Sequence, residues 1–232
     1  TSAFIGRAIM DADIFISLTH FKGHELTGFG GAIKNIGMGC GSRAGKMAMH
    51  CNGKPTVVTD KCRGCRTCTR YCAQEAISIT DRKASIDHDK CVGCGRCIGV
   101  CNFNAIRNAI DAKSDDVNYR MVEYTKAVVD GRPHFHISIV NQVSPCCDCH
   151  GENDAAVVPD IGMFASFDPV ALDRACIEAV NAAPIVSSSV LGQCEHNIDH
   201  FTSIHPTTNW RSQIEHAEAI GLGNGTYELI TL

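Results

Sequence analysis

The sequence predicts an α/β protein in which a mostly parallel sheet with helices is interrupted by an inserted α+β module. Short apolar, β-branched runs alternate with helical stripes along much of the chain, the order typical of a parallel α/β sheet. Between them, residues 59–106 contain one internal repeat at a spacing of 29 residues. We therefore expect a host domain over 1–58 and 107–232, and an inserted module over 59–106.

The first half of the host contains one predicted strand and two predicted helices. Ala12–Leu18 is a short apolar run with β-branched residues, which indicates a buried strand. A polar, glycine-rich loop over Thr19–Gly41 follows, and then a short helix over Ser42–Cys51. Beyond the insertion, apolar residues recur at helical spacing over 115–130, and Gly131 can close that helix.

The second half of the host continues the alternation. Phe135–Val140 and Ile161–Ser166 are predicted strands. A helix is predicted over Pro169–Val180, because the Asp168 carboxylate can accept the free N–H groups at its start. Proline suits the first helical position, since it has no N–H to leave unpaired there. A last helix is predicted near Trp210–Ile220.

Composition argues against several classes of function. The chain has 232 residues, 44% hydrophobic and 20% charged, a normal globular balance. Its net charge of −4 gives no positive footprint for nucleic acid. No stretch approaches the roughly 18 apolar residues of a membrane span. Because the chain begins at Thr1, directly before a strand-like run, we expect further sequence upstream.

The 15 cysteines are the abnormal feature of the composition. Eight of them form two C-x2-C-x2-C-x3-C motifs, Cys62–Cys72 and Cys91–Cys101, the double motif of bacterial ferredoxins. In such motifs the fourth cysteine binds the other cluster. The insertion is therefore predicted to be bacterial-ferredoxin-like and to hold two [4Fe–4S] clusters. The predicted ligands are Cys62, Cys65, Cys68 and Cys101 for the first cluster, and Cys91, Cys94, Cys97 and Cys72 for the second.

Zinc and disulfides are the competing explanations of these cysteines. Four-cysteine zinc sites usually need two C-x-x-C pairs separated by a longer loop, and disulfide scaffolds are usually short chains with little core. One departure from the ferredoxin pattern is that Ala73 and Asn102 stand where proline normally follows the fourth cysteine. The apolar shell around the sulfurs is predicted to contain Ile77, Ile79, Ile86, Val92, Ile98 and Ile106.

Two further polar loops follow predicted strands of the host. One carries His20, His24 and Lys34, and the other is Cys146–His150. Since ligands of open α/β sheets lie at the carboxyl ends of strands, these loops can form a third metal or substrate site. Its candidate residues are Cys147, Cys149, His150, His20 and His24. The alternative is that the cysteines are small buried hydrophobes and the histidines make local hydrogen bonds.

Three long motifs carry a resemblance to a known family. They are THFKGHELTGFGGAIKNIGMGCGSRAGK at Thr19–Lys46, SPCCDCHGENDAAVVPDIGMFASFDPVALDRA at Ser144–Ala175, and HPTTNWRSQIEHAEAIGLGNGTYELI at His205–Ile230. In these the chain resembles the uncharacterised iron–sulfur centre proteins, which carry the domain of unknown function 362 with an inserted ferredoxin module. The resemblance implies an α/β domain split by a ferredoxin, and it implies no particular reaction.

These observations support three functional hypotheses. The first is an electron-transfer protein or oxidoreductase subunit that passes electrons to a redox partner protein or a small-molecule acceptor. The second is a reductase-type enzyme with its own third site near Cys147, Cys149 and His150. The third is a non-redox binding module in which the clusters are structural. Because the cysteines must stay reduced, we expect a cytoplasmic location.

Overall fold

The computed structural model describes residues 2–50, 54–108, 113–151, 153–194 and 199–232. The chain divides into two compact units, which are residues 3–40 with 113–232 (the larger unit) and residues 41–112 (the smaller unit). Within the described ranges the strands are β1 Phe15–His20, β2 Lys22–His24, β3 Gly28–Gly30, β4 Pro55–Val57, β5 Ile77–Thr80, β6 Lys83–Ile86, β7 Ile106–Asn108, β8 His134–Val140 and β9 Gly162–Ser166. The helices are α1 Arg7–Met10, α2 Ala32–Cys40, α3 Arg43–His50, α4 Thr67–Arg70, α5 Arg96–Gly99, α6 Ser114–Val129, α7 Pro169–Ala182, α8 His200–Ile204 and α9 Arg211–Ala219, with a 3-10 turn at Leu191–Gln193.

The sheet of the larger unit has three strands in the order β1-β8-β9. Strand β1 is parallel to β8, whereas β9 is antiparallel to it. The prediction of a mostly parallel sheet is therefore wrong. The physical reason lies in the connection: the described residues between β8 and β9 contain no helix, and a parallel pairing needs a long crossover, usually helical.

Most predicted host elements are confirmed, but the predicted glycine-rich loop is wrong. The segment 19–41 contains the hairpin β2–β3 and the helix α2. Glycine lowers helix propensity, yet Gly37 is required in α2, because a Cβ there would lie 2.4 Å from the Met121 carbonyl oxygen of α6. The predicted helix Ser42–Cys51 is observed as α3, Arg43–His50. Cys51 lies outside the described ranges.

Two aspartates fix the starts of α7 and α2 in the larger unit. As predicted, Asp168 caps α7 by accepting the Val170 and Ala171 N–H groups at 2.7 and 3.2 Å. Asp173, on α7 itself and fully buried, instead accepts the Ala32 and Ile33 N–H groups of α2 at 2.6 and 2.9 Å. Burial raises the Asp173 pKa to about 7 against the effect of these donors. The start of α2 is thus tied to α7.

A hydrogen-bonded network of polar side chains lies on the buried face of β1 and β8. Ser17 Oγ lies 2.9 Å from His136 Nδ1, and His136 Nε2 lies 2.9 Å from His134 Nδ1. Burial, reinforced by the charge of His134, lowers the His136 pKa to about 4. The opposite face of the sheet is apolar and exposed, with Ile16 and Leu18 at its surface.

The smaller unit has a two-fold internal repeat in its backbone. Strand β4 pairs with β7 and β5 pairs with β6, both antiparallel. Val57 pairs with Ile106 in the first of these ladders, and Ile86 pairs with Ile77 in the second. Val57 and Ile86 are 29 residues apart, as are Ile77 and Ile106, which is the spacing of the sequence repeat. Left-handed residues recur at the same spacing, at Gly64 and Gly93, Arg66 and Gly95, and Glu75 and Asn104. The smaller unit extends beyond the predicted 59–106, since it also contains α3, β4 and the last residues of β7.

None of the helices in the described ranges is long and apolar enough to cross a membrane.

Candidate functional site

The first four predicted ligands line one pocket in the smaller unit. Cys62, Cys65, Cys68 and Cys101 border this pocket together with apolar groups of the β5–β6 hairpin and β7. Three of these cysteines belong to the first half of the repeat, and Cys101 comes from the second half. The fold therefore brings together the four residues that the sequence assigned to one cluster.

Within each motif, the first three thiols affect the ionisation of one another. Burial, followed by the charges of Cys91 and Cys94, raises the Cys97 pKa to about 11. Burial and the charges of Cys62 and Cys65 raise the pKa of Cys68 in the same way. Thiolates at these positions repel one another, so a shared positive centre would be needed to hold all of them ionised.

The fourth cysteines of the two motifs occupy equivalent environments. The Ala76 N–H donates to Cys72 Sγ at 3.4 Å, and the Ala105 N–H donates to Cys101 Sγ at 3.3 Å. Both alanines are buried. Backbone donors to a ligating sulfur orient it and tune the potential of a bound cluster.

The spacing of the sulfurs bears on the kind of metal centre. Although all eight motif cysteines lie in the part of the chain that the structure describes, no three of their sulfur atoms lie within 4.8 Å of one another. A tetrahedral zinc ion with Zn–S bonds of about 2.3 Å would hold its sulfurs about 3.8 Å apart. A cubane holds its thiolates farther apart, because each binds a different iron. All eight cysteines are free of disulfides.

The predicted apolar shell is confirmed with one exception. Ile77 and Ile106 are buried in the core of the smaller unit, and three further members pack against it, namely Ile79, Ile86 and Ile98. Val92 is 57% exposed, so its assignment to the shell is wrong. It lies between two cysteines of the second motif, where a tight loop turns its side chain outward.

A second site lies in the larger unit, where the β2–β3 hairpin meets the Cys146–His150 loop. An aromatic cluster anchors the hairpin: Phe21 and Phe29 stack at 5.4 Å, and Phe201 packs edge-on against Phe21. The turn of the hairpin carries Glu25 toward the loop. We call Glu25, Lys34, Cys147, Cys149 and His150 the loop site.

Within the loop site, Cys147 is paired with a lysine. The Lys34 ammonium donates to Cys147 Sγ at 3.0 Å. Burial opposes ionisation of Cys147, but Lys34 and a hydrogen bond from the Cys149 thiol bring its pKa below the ordinary value. The same hydrogen bond raises the pKa of Cys149. Cys147 is therefore the more easily ionised thiol of the two.

Glu25 links the two ends of the loop. Its Oε2 accepts the Cys147 N–H at 3.2 Å, and its Oε1 lies 3.2 Å from His150 Nε2. Although burial opposes ionisation, these contacts, its own N–H and the charge of His24 lower the Glu25 pKa to about 2. One oxygen of Glu25, the Cys149 sulfur and one His150 nitrogen all lie within 4.8 Å of one another.

The two predicted histidines next to this site have supporting positions. His20 Nδ1 lies 3.0 Å from Asp148 Oδ2, and its Nε2 lies 2.8 Å from the Asn141 carbonyl. His24 Nδ1 accepts the Leu26 and Thr27 N–H groups, so it shapes the hairpin turn that carries Glu25. Neither histidine belongs to the group formed by Glu25, Cys149 and His150. The two loops do meet as predicted.

Residues 1–178 of the chain match the family model described as Domain of unknown function (DUF362). The chain belongs to this family. A search of curated proteins finds no matching relative. The DUF362 match includes both cysteine motifs and the whole loop site, and it ends within α7.

Sequence reasoning on this DUF362 chain missed Glu25 and the Lys34–Cys147 contact. Both depend on the β2–β3 hairpin and α2, which the glycines at 28–31 and 37–41 disguised as a loop. The available signal was the pair of apolar residues Phe21 and Phe29, one on each side of a polar turn, which is compatible with a hairpin packed on one side.

Proposed function

We propose that the smaller unit binds two [4Fe–4S] clusters and that the protein transfers electrons through them, as an electron-transfer protein or as a subunit of an oxidoreductase. The observation that carries this proposal is the pocket in which Cys101 joins Cys62, Cys65 and Cys68 from the other half of the repeat. Such an exchange of the fourth ligand is the arrangement of two-cluster ferredoxins.

The chemistry of the pocket fits this cofactor better than zinc. Its sulfurs are too far apart for one ion, and backbone N–H groups donate to them. Buried Ile77 and Ile106 belong to the surrounding core and limit access of water. When bound, each cluster would supply one-electron transfer at low potential, while the chain provides four thiolates and this dry surrounding.

The exchange of ligands can be tested with two matched double variants. In Cys62→Ser/Cys101→Ser both lost ligands belong to one proposed cluster, so about four of about eight iron atoms per chain should remain. In Cys62→Ser/Cys72→Ser each cluster loses one ligand, and iron should fall well below four. The measurement is iron and sulfide content after anaerobic reconstitution. The opposite ranking would contradict the ligand assignment, and wild-type protein without iron would contradict the clusters.

Electron transfer and structural clusters are separated by a reductive titration. If the proposal is correct, the wild-type protein takes up about two electrons per chain reversibly, one for each cluster. Clusters that cannot be reduced without being destroyed would favour the non-redox binding module. Because the thiols must remain reduced, we also propose a cytoplasmic location.

A reductase with its own substrate site is the second candidate function. The observation that favours it is the Lys34–Cys147 pair, since thiols with a lowered pKa beside a lysine are typical of reactive cysteines. In this case the clusters would supply electrons to a substrate or metal at the loop site. Reoxidation of the reduced clusters by an added acceptor, if it requires Cys147, would support the enzyme.

A further inference from the structure

We propose that Glu25, Cys149 and His150 bind one divalent metal ion of the zinc class, with one coordination position left open to solvent or to a ligand. This site lies in the larger unit and does not depend on the clusters. It differs from the candidate site expected from the sequence, because it includes Glu25 and excludes Cys147, His20 and His24 as ligands.

The three donor atoms are close enough to share one ion. All lie within 4.8 Å of one another, and Glu25 Oε1 is 3.2 Å from His150 Nε2. Tetrahedral zinc, with bonds of about 2.0–2.3 Å, spaces its ligand atoms by about 3.3–3.8 Å. Small side-chain movements are therefore sufficient to close the site. The motif sulfurs of the smaller unit lack any such group of three.

The donor set defines the class of ion. One thiolate, one imidazole and one carboxylate suit borderline ions such as Zn²⁺, whereas Mg²⁺ and Ca²⁺ prefer oxygen alone. Three protein ligands with an open fourth position are typical of catalytic rather than structural zinc sites. Glu25, Cys149 and His150 are all exposed, so an external ligand can reach the open position.

The surrounding contacts hold the ligand-bearing segments in place. The Gly23 N–H donates to the Ser144 carbonyl at 2.8 Å, which joins the hairpin to the start of the loop. His205 Nε2 lies 2.7 Å from the Pro145 carbonyl. Asp148, between the two cysteines, is held by His20 and by Lys22 at 3.1 Å. A site that is organised in this way loses little conformational entropy on binding.

Lys34 gives Cys147 a separate role. Its ammonium contacts Cys147 Sγ, so that sulfur already has a cationic partner. Cys149, by contrast, lies on the side of Glu25 and His150. We therefore assign Cys149 as the sulfur ligand and Cys147 as its neighbour, close enough to approach a bound metal or its ligand.

The test is zinc binding by the full chain after its clusters have been reconstituted. Zn²⁺ is added, unbound ion is removed, and zinc and iron are both quantified. About one zinc per chain is expected, with iron unchanged. Cys149→Ser and Glu25→Gln should each weaken zinc binding by more than the ~10-fold to 100-fold that loss of an outer partner costs. The matched controls Cys194→Ser and Glu228→Gln, both in the larger unit, should bind zinc like the wild type.

Zinc-edge X-ray absorption identifies the ligands independently of iron. One sulfur at about 2.3 Å, or two if Cys147 approaches, with the remaining ligands nitrogen or oxygen, would support the site. Four sulfurs would place the zinc in the cysteine motifs and overturn the proposal. Equal binding by Cys149→Ser and its control would overturn it as well. Missing iron would count against the clusters alone.

Discussion

The two units differ in what they bury. Every buried polar or charged side chain among the described residues lies in the larger unit, including Lys22, His136 and Asp173. In the described part of the smaller unit, the buried side chains are apolar, apart from those of cysteines. Buried groups of the larger unit, such as Asp173 and His136, thus find backbone or side-chain partners. In the smaller unit the sulfurs of Cys62, Cys72 and Cys101 accept backbone N–H groups.

This difference separates two kinds of cysteine. Cys147 has the Lys34 ammonium beside it, so its thiolate is stabilised by the protein itself. Cys68 and Cys97 lie beside other thiols, and burial raises the pKa of both in spite of backbone N–H groups that favour the thiolates. Such sulfurs become good thiolates only when a bound positive centre balances their charge. The comparison therefore favours a metal cluster in the smaller unit and thiol or single-metal chemistry in the larger one.

The largest expected effect tests the equivalence of the two halves of the smaller unit. Gly64 and Gly93 are related by the repeat, and both have φ near +70°. A Cβ at Gly64 would lie 2.4 Å from the Arg82 carbonyl oxygen, whereas one at Gly93 meets nothing within 4 Å. Gly64→Ala should therefore cost about 3 kcal/mol, from left-handed strain plus overpacking, and Gly93→Ala about 1 kcal/mol from strain alone.

Iron content distinguishes the two glycine variants. We expect Gly64→Ala to keep about four of about eight iron atoms per chain, because only the pocket of Cys62, Cys65 and Cys68 is disturbed. Gly93→Ala should keep nearly all of its iron. Equal losses of iron in the two variants would mean that the backbone moves to relieve the clash between the added Cβ at position 64 and the Arg82 carbonyl. The two halves of the smaller unit would then respond alike.

The next effect tests how the loop site is assembled. A Cβ at Gly23 would lie 2.2 Å from the Pro145 carbonyl oxygen, so Gly23→Ala should push the hairpin away from the loop. The expected cost is about 2 kcal/mol. Gly151→Ala meets nothing within 4 Å and should change stability by less than about 0.5 kcal/mol. Denaturation followed by the fluorescence of Trp210, the one tryptophan, measures both.

The same pair of variants connects stability to zinc binding. Gly23→Ala should weaken zinc binding, because Glu25 lies on the hairpin and Cys149 and His150 lie on the loop. Iron content should not change. Loss of stability with undiminished zinc affinity would show that the hairpin and loop need no fixed spacing.

The contrast between the units also explains what could be predicted from the sequence. The eight proposed cluster ligands follow from local spacing and a repeat, so the sequence motif alone is enough to propose them. The loop site combines Glu25 from a hairpin with Cys149 and His150, which lie more than a hundred residues later. Its geometry depends on the packing of Phe201 against Phe21 and Phe29, which no local pattern specifies. The antiparallel β9 was missed for a similar reason, since strand direction depends on the path of the connection.

The smallest expected effect concerns the buried histidine of the larger unit. The His136 pKa of about 4 lies below the ordinary 6.5, so folding disfavours its protonated form. Its contribution to stability is fully present above pH 6.5 and is lost as the pH falls toward 4. Between pH 7.5 and 5.5 the loss should be about 1.4 kcal/mol. Asp173 acts in the opposite direction, because its pKa is raised to about 7.

Comparing the wild type with a His136 variant separates the pH effect of His136 from that of Asp173. The free energy of unfolding of the wild type minus that of His136→Gln should fall by about 1.4 kcal/mol from pH 7.5 to 5.5, measured by Trp210 fluorescence. In a His134→Gln background the fall should be smaller when it is followed down to about pH 4, because the neighbouring charge also lowers the His136 pKa. A difference that does not vary with pH would mean that His136 titrates alike in the folded and unfolded chains. The polar network under the sheet would then be open to protons, and the contrast between the two interiors would be weaker than their burial indicates.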